Sequence, residues 1–183
     1  NWLLPRRAIL ELKKILESSK EKNVFLGTCG NQLVFSGESF NFFTKLLVNP
    51  FPEYKAILDK QGFTPAIIDR GSLVKTLRRS SCLLSGQFIA TSFEFKPENV
   101  AVSMHNKEVG KLDENLELKE FEGAELAMKF YAPYLLSGLN AFSDEKVKFY
   151  LHNAAKPIIF ETEETDKYNL TYLVMPVSPT ATK

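Results

Sequence analysis

Residues 69–84, with the sequence DRGSLVKTLRRSSCLL, contain the pattern that decides the fold of this chain. Apolar and small side chains recur there at helical spacing, which predicts a helix that begins near Asp69 and buries one stripe. The stripe consists of Leu73, Val74, Leu77, Ser81 and Leu84. The other side of the helix carries Lys75, Arg78, Arg79 and Cys82, so we expect it to present positive charge to solvent.

Short strand patterns surround this helix. One strand is predicted before it at residues 64–69, and three follow it at residues 90–96, 99–105 and 114–121. Most of these strands alternate apolar and polar residues, as Phe93 and Phe95 do with Ser92 and Glu94, so each sheet is expected to have one buried face. The repeating unit is therefore one helix with three to four antiparallel strands.

The same unit occurs three times along the chain. The first copy has a helix that opens at Pro5 and strands at residues 24–28, 32–36 and 39–47. The third copy has a strand at residues 125–131, a helix at 132–142 with Pro133 in its first turn, and strands at 146–151, 157–161 and 170–175. Gly71 lies 66 residues after Pro5, and Pro133 lies 62 residues after Gly71. Self-similarity at such a period indicates repeated half-domains, and the predicted fold class is α+β.

The sequence Asn49-Pro50-Phe51-Pro52 interrupts the pattern after the first copy. Two prolines remove backbone donors and oppose helix formation, so we read this stretch as a linker. We predict one half-domain at residues 1–50 and a complete domain at residues 51–183. The chain has 183 residues and does not begin with methionine, and we expect it to be part of a longer protein.

The charges are balanced overall but unevenly distributed. The chain has 23 basic and 22 acidic residues, which excludes a protein that binds nucleic acid through bulk charge alone. Residues 1–22 and 69–84 are nonetheless mostly basic, whereas residues 96–125 have four lysines and eight carboxylates. The two basic helices are either ordinary solvated faces or a surface that follows a phosphate backbone without reading bases. Helix 132–142 carries no charge, which weighs against the second interpretation.

The sequence contains no recognisable catalytic or metal-binding motif. Cys29 and Cys82 are too few for a disulfide framework, and we expect two reduced thiols in a cytoplasmic protein. Cys82 could meet His105 or His152 only through the fold, because nothing local supports such a pair. No apolar run approaches the length of a membrane span. We expect no enzyme activity, cofactor or metal.

Aromatic and proline side chains cluster at the ends of predicted elements. They occur at Phe51 to Tyr54, at Phe88, at Tyr131 to Tyr134 and in the apolar run from Tyr172 to Val177. Such residues usually cap a core, but several of them in one place would form an apolar groove suited to an extended peptide.

Together these pieces resemble the bacterial DNA polymerase III β subunit, the sliding clamp. The resemblance rests on four markers in order, which are residues 4–12 (LPRRAILEL), Thr44-Lys45-Leu46, Phe51-Pro52-Glu53-Tyr54 and the closing Tyr172-Leu173-Val174-Met175-Pro176. It covers essentially the whole chain. It implies the DNA-clamp fold, with residues 1–50 as the second half of the middle domain and residues 51–183 as the C-terminal domain.

The resemblance implies a non-catalytic processivity factor. In that family, two protomers form a ring that encircles duplex DNA without sequence preference and tethers the DNA polymerase III catalytic subunit, the clamp loader and other proteins with a clamp-binding motif. By this resemblance, the DNA-facing residues would be Arg6, Arg7, Lys14, Lys75 and Arg79. The peptide-binding groove would use Pro52, Ile57, Phe88, Tyr131, Tyr134, Leu173, Val174, Met175, Pro176 and Val177. The ring interface of the full-length homodimer would use Cys82, Leu83, Glu108 and Glu114.

This chain departs from the family pattern at several groove positions. Ala56 stands where the family usually has Arg, Tyr131 where it has Asn, and Phe88-Ile89-Ala90 where it has Phe-Arg-Gly. The chain also continues to Lys183 after Met175-Pro176, where the family usually ends within three residues. These departures bear on which peptides the groove prefers.

Two other functions stay open at this point. The chain could be a stand-alone interaction module of clamp-like fold that binds proteins and no DNA. It could also be a hydrolase that uses Cys82 as its nucleophile, which is the weakest of the three readings.

Overall fold

The computed structural model describes residues 2–51, 53–86, 88–162 and 169–177. The chain forms two compact units, Asn1–Ile57 and Leu58–Lys183, which we call the first and the second unit. The boundary after Ile57 lies seven residues beyond the one predicted after residue 50. The assignment of residues 1–50 and 51–183 to a middle and a C-terminal clamp domain stays a prediction.

The first unit contains one long helix and a three-stranded antiparallel sheet in the order β1-β2-β3. Its elements are α1 (Arg6–Ser18), β1 (Phe25–Cys29), β2 (Gln32–Ser36), β3 (Asn41–Lys45) and the short α2 (Tyr54–Ile57), which the sequence did not predict. Leu12 of α1 and Leu33 of β2 are buried. The carboxylate of Glu21 accepts hydrogen bonds from the backbone N–H groups of Glu38 and Ser39. These bonds hold a turn there, so β3 begins at Asn41 instead of residue 39.

The second unit contains two helices and an eight-stranded antiparallel sheet in the order β11-β10-β9-β4-β7-β6-β5-β8. Its first half has β4 (Thr64–Asp69), α3 (Arg70–Cys82), β5 (Thr91–Phe95), β6 (Asn99–Asn106) and β7 (Gly110–Lys119). Its second half has β8 (Leu126–Phe130), α4 (Ala132–Leu139), β9 (Lys146–Leu151), β10 (Ile158–Glu161) and β11 (Thr171–Val174). Helices and antiparallel strands in this arrangement confirm the predicted α+β class.

The two halves of the second unit are joined by their leading strands. β4 pairs with β7 of its own half and also with β9 of the other half. β8, the leading strand of the second half, pairs with β5 of the first half. Each half therefore completes its sheet with a strand from the other half, and neither can form its full set of backbone hydrogen bonds alone.

One backbone contact recurs in all three copies of the repeat. In each copy, the segment before the helix bonds to the last strand of the same copy or to the residues that follow it. The pairs are Leu47 N–H to Leu3 O at 2.9 Å, Ile68 opposite Leu118, and Val177 N–H to Lys129 O at 2.7 Å. The first unit thus has the layout of one half of the second unit.

Local hydrogen bonds and backbone conformations determine where several helices and strands begin and end. The carboxylate of Asp69 accepts a hydrogen bond from the Ser72 backbone N–H at 2.6 Å and caps α3, and this bond lowers the pKa of Asp69. β7 begins at Gly110, where φ is 144°, and ends before Glu120, where φ is 60°. The prediction of residues 114–121 was wrong at both ends because these two backbone conformations are not visible in the alternation of side chains. α4 ends at Leu139, three residues earlier than predicted.

The core of the second unit lies between the two helices and the sheet. α3 and α4 pack against each other, and Leu77, Leu135 and Leu139 on their facing sides are at most 1% exposed. Phe130, Phe149 and Phe160 supply the sheet side of this core. Burial of these large side chains is the main source of stability for the unit.

Gly138 in α4 should not tolerate a side chain. A Cβ at this position would overlap the ring of Tyr172 on β11, whereas a Cβ at Gly71 in α3 would meet Asp69 Oδ1 at an ordinary 3.5 Å. Gly138→Ala should therefore lower the free energy of unfolding by about 1–3 kcal/mol. Gly71→Ala is the matched control and should leave it unchanged or raise it by up to about 1 kcal/mol. Equilibrium unfolding in urea measures both, and equal stability of the two variants would contradict the assigned contact.

Candidate functional site

Three aromatic side chains form a continuous surface on the second unit, in which Phe88 and Tyr134 are exposed and Tyr131 is half-buried. The rings of Phe88 and Tyr131 stack with centroids 4.6 Å apart, and Tyr134 meets Tyr131 edge-on at 5.0 Å. Phe88 is 64% exposed and Tyr134 is 58% exposed. We call Phe88, Tyr131 and Tyr134 the aromatic surface. Large exposed apolar side chains in contact with each other are typical of a site that binds a partner.

The start of α4 positions this surface. Tyr131 is the N-cap residue of α4, and Pro133 in the first turn fixes the backbone direction. The Tyr134 backbone N–H donates to the Tyr131 carbonyl, and the Tyr172 hydroxyl donates to the Tyr134 carbonyl at 2.8 Å. Burial raises the pKa of Tyr172, which keeps this hydroxyl protonated as a donor. The aromatic surface is thus held by backbone geometry on one side and by β11 on the other.

The C-terminal strand contributes unequally to the predicted groove. Met175 is 54% exposed, whereas Val174 is buried in the core. Leu173, Pro176 and Val177 are half-buried. Since Tyr172 of the same strand bonds to Tyr134, the structure brings β11 next to the start of α4. Val174 supports this region from inside and does not line its surface.

Two predicted groove residues are not part of the second unit. Ile57 is the last residue of α2 in the first unit and is 43% exposed. Pro52 lies outside the described residues. The second unit thus supplies the aromatic surface and the C-terminal strand of the predicted groove, and the groove itself stays a prediction.

The predicted DNA-facing residues are exposed on two helices. Arg6, Arg7 and Lys14 are exposed on α1, and Lys75 is exposed on α3. Lys14 makes a surface ion pair with Glu11 at 3.1 Å, which is weak because both side chains are solvated. These four cations are therefore exposed, and their contact with DNA stays a prediction.

Arg79 differs from the other four cations because it makes a bidentate ion pair with a carboxylate on another element of its unit. Its Nε and Nη2 donate to the two carboxylate oxygens of Glu114 on β7, at 2.5 and 2.6 Å. The Thr76 hydroxyl also donates to Glu114 at 2.5 Å. The Arg79 guanidinium, together with Thr76, holds the pKa of Glu114 below its ordinary value. The sequence assigned these two residues to different surfaces, DNA-facing and ring interface, but they form one bidentate pair.

The other predicted interface residues lie together at the end of α3 and the β6–β7 turn. Cys82 and Glu108 are exposed, and Leu83 is half-buried. Asn106 joins these elements, because its side-chain N–H donates to the Leu83 carbonyl at 2.6 Å and its side-chain oxygen accepts from the Glu108 N–H at 2.9 Å. The sequence alone did not indicate this role of Asn106. Its position at the end of an alternating strand, before a turn, is the signal that could have indicated it.

His152, one of the histidines considered as a catalytic group, has a structural role. Its ring stacks on Phe63 at 5.3 Å, and its Nδ1 lies 2.8 Å from the Gly62 carbonyl oxygen. Among the described residues, no group of three or more His, Cys, Asp or Glu side chains could hold a metal ion. In the same part of the chain, no helix is long and apolar enough to cross a membrane.

Comparisons with known proteins identify related chains and support the fold. A family model for the DNA polymerase III beta subunit, C-terminal domain, matches residues 55–178. The beta sliding clamp of Bacillus subtilis is 25% identical over 97% of this chain and 47% of its own length, and that of Streptococcus pneumoniae is 26% identical over 96% and 46%. A sliding clamp structure from Caulobacter crescentus has a TM-score of 0.80 at 20% identity and covers 96% of this chain and 46% of that chain. The DNA-clamp fold predicted from the sequence is confirmed, and the chain spans about half the length of the curated relatives that it matches.

The Arg79–Glu114 pair should make stability depend on pH. Because the pKa of Glu114 is lower in the folded than in the unfolded chain, the pair stabilises the fold above the ordinary pKa of 4.5, and this stabilisation is lost as the pH falls through the folded value. In Glu114→Gln, the free energy of unfolding should therefore be lower near neutral pH and should fall less steeply on acidification than in the wild type.

Urea unfolding at a series of pH values measures this slope. Glu117→Gln removes the same charge at an exposed position of the same strand and serves as the control. Parallel pH profiles for Glu114→Gln and the wild type would show that the pair does not contribute.

Proposed function

The chain belongs to the DNA polymerase III beta subunit family, the sliding clamps, and from this membership we propose that it forms part of a ring that encircles duplex DNA and tethers replication proteins. The observation that carries the proposal is the exposed aromatic surface in the unit that the family model matches. Its role is not catalytic, because holding a polymerase on DNA requires binding surfaces and no bond chemistry.

The aromatic surface and Met175 form the docking site for partner peptides. Phe88, Tyr134 and Met175 are all more than half exposed, so a bound Leu or Phe side chain would remove their apolar area from water. Aromatic anchors of this kind supply most of the affinity in small interfaces. The partners are short clamp-binding segments of the polymerase catalytic subunit, the clamp loader and other replication or repair proteins.

The basic residues of α1 and α3 face the DNA. Arg6, Arg7, Lys14 and Lys75 are exposed cations on long side chains, which suit mobile contacts to phosphates. Contacts to phosphates do not depend on base sequence, so such a surface can slide along a duplex. Arg79 belongs to this set in the prediction, and its bond to Glu114 makes it the least accessible of the five for DNA.

The end of α3 and the β6–β7 turn form the ring interface of the homodimer. Cys82 and Leu83 supply its apolar part, and Glu108 supplies an acidic group for a basic residue of the neighbouring protomer. Glu114 is held by Arg79, so it contributes to this interface mainly by fixing β7 against α3.

The stand-alone interaction module is the second candidate function. The Arg79–Glu114 pair favours it, because an internal partner removes one of the five proposed DNA-facing cations. In that case the aromatic surface would still bind peptides, and the chain would have no affinity for DNA.

Peptide affinity should depend on Phe88 and Met175. Replacing either residue by alanine should weaken binding of a short peptide that ends in Leu-Phe by roughly 1–3 kcal/mol. Fluorescence anisotropy with a labelled peptide measures the affinity. Val109→Ala, which shortens another exposed apolar side chain in the β6–β7 turn, should bind as the wild type does. Undiminished affinity in both variants, at equal folding, would remove the proposed docking site.

Affinity for duplex DNA should depend on α1. The double variant Arg7→Glu, Lys14→Glu should bind duplex DNA more weakly, and the slope of log affinity against log salt should become shallower by about one for each phosphate that the protein no longer neutralises. The control Lys111→Glu, Lys119→Glu reverses two exposed charges on β7 and should retain the wild-type slope. If the wild type shows no salt-dependent affinity for DNA, the interaction module becomes the better assignment.

A further inference from the structure

The sheet of the second unit has a hollow on its outer face, next to the aromatic surface. The hollow has a volume of about 480 Å³, and its rim includes Ile89 and Ala90, which directly follow Phe88 in the chain. This face is the solvent side of the sheet, because residues that alternate with its members, such as Phe93 and Val102, are buried in the core. The polar side chains that line the hollow therefore face solvent.

Two rows of side chains cross four strands and form the floor of the hollow. The first row has one residue from each strand in the order β8-β5-β6-β7, and its members are Lys129, Ser92, Ser103 and Asp113. The second row includes His105 of β6 opposite Lys111 of β7. Neighbouring strands lie about 4.8 Å apart, so a row across four strands spans roughly 14 Å.

The second row continues into the aromatic surface. The registers of β5 with β6 and with β8, extended past the first residue of β5, place Ala90 between His105 and Tyr131. Lys129 and Tyr131 are two residues apart on extended backbone, so both side chains lie on the outer face, roughly 7 Å from each other. A peptide that is anchored on the aromatic surface can therefore extend into the hollow along one continuous face.

The hollow is locally basic. It contains the ammonium groups of Lys111 and Lys129 against the carboxylate of Asp113, and the His105 ring and two serine hydroxyls add hydrogen-bond donors. The surrounding stretch has the opposite sign, because residues 96–125 carry eight carboxylates and four lysines. The positive charge of the hollow is therefore a local feature that the composition of this stretch does not predict.

The polar side chains of the hollow are not used inside the protein. Within the part of the chain that the structure describes, six of them make no side-chain hydrogen bond or ion pair, and they are Ser92, Ser103, His105, Lys111, Asp113 and Lys129. By contrast, Lys60 and Arg79 of the same unit are each paired with a carboxylate. An anion can therefore bind in the hollow without breaking an existing ion pair.

We propose that the hollow binds an acidic segment of the same partner peptide that docks on the aromatic surface, an extension that rests on the proposed function. The carboxylates of this segment accept hydrogen bonds from Lys111, Lys129 and the serine hydroxyls of the first row. The apolar anchor supplies the affinity, whereas the acidic segment selects among partners, because charged groups at the edge of an interface contribute more to specificity than to affinity. A peptide is the expected ligand because the hollow is continuous with an aromatic surface that requires an apolar side chain.

The first measurement compares labelled peptides that share a Leu-Phe anchor and carry either glutamates or glutamines beside it, placed before or after the anchor. At low salt, at least one glutamate peptide should bind the wild type roughly three- to tenfold more tightly than its glutamine counterpart, as expected for a few solvated charge pairs. In Lys111→Gln with Lys129→Gln, this preference should disappear while the glutamine peptide keeps its affinity. The control Lys119→Gln with Lys146→Gln removes two exposed charges elsewhere on the sheet and should keep the preference.

The outcomes separate this extension from the docking site itself. If no peptide binds the wild type, the docking site is wrong and the extension falls with it. If glutamate and glutamine peptides bind equally, or if the preference survives in Lys111→Gln with Lys129→Gln, only the extension is wrong. This double variant should also keep the wild-type affinity for duplex DNA, and a loss of that affinity with an unchanged peptide preference would assign the hollow to a phosphate backbone.

The second measurement moves the preference in the opposite direction and does not depend on a loss of binding. Asp113→Asn removes the carboxylate that lines the hollow, so the glutamate peptide should gain affinity by roughly two- to threefold and the glutamine peptide should not. Glu117→Gln removes the same charge further along β7 and should change neither affinity. Added salt should reduce the gain, because solvated charges are screened. No gain in Asp113→Asn, or an equal gain in Glu117→Gln, would overturn the proposal.

Discussion

The pairing of each leading strand with the other half-domain is the constraint on which the second unit depends. Because β4 pairs with β9 on one side and with β7 on the other, and β8 pairs with β5, the eight strands form one continuous sheet in place of two small ones. A half-domain of one helix and a few strands is too small to bury a sufficient core alone. Joining two of them lets α3 and α4 pack against each other and against the same aromatic core.

The same pairing positions the proposed binding surfaces. β8 leads directly into Tyr131 at the start of α4, so the sheet fixes where the aromatic surface begins. β11 then returns past α4, and the Tyr172 hydroxyl bonds to the Tyr134 carbonyl. β7 carries Glu114 to Arg79 at the last turn of α3. Strands that are already needed for the core thus also position side chains of the proposed surfaces.

The fold could be predicted from the sequence because the repeat is carried by side chains that alternate with the period of a strand or a helix. Every long helix and every strand was predicted, since burial of one face leaves a pattern in the sequence. The start of β7 at Gly110 was not, because the signal is a backbone angle. The Arg79–Glu114 pair and the role of Asn106 were missed because both join residues more than 20 positions apart. The sequence shows which residues are charged but not which residue each charge pairs with.

For the site, the sequence predicted exposed aromatic residues that the structure brings together, but it also included Val174, whose side chain is in the core.

The interleaved strands of the second unit also affect how the domain responds to cleavage and how it unfolds. β8 follows β7 through the connection at residues 120–125, and this connection is the covalent link between the two halves. If that link were cut, each fragment would still hold the other through β4–β9 and β5–β8, as in proteins that reassemble from two cleaved pieces. The same interlock makes most stabilising contacts distant in sequence, which is the condition for slow and all-or-none folding. The two halves should therefore fold and unfold as a single cooperative unit, although they follow one another in the sequence.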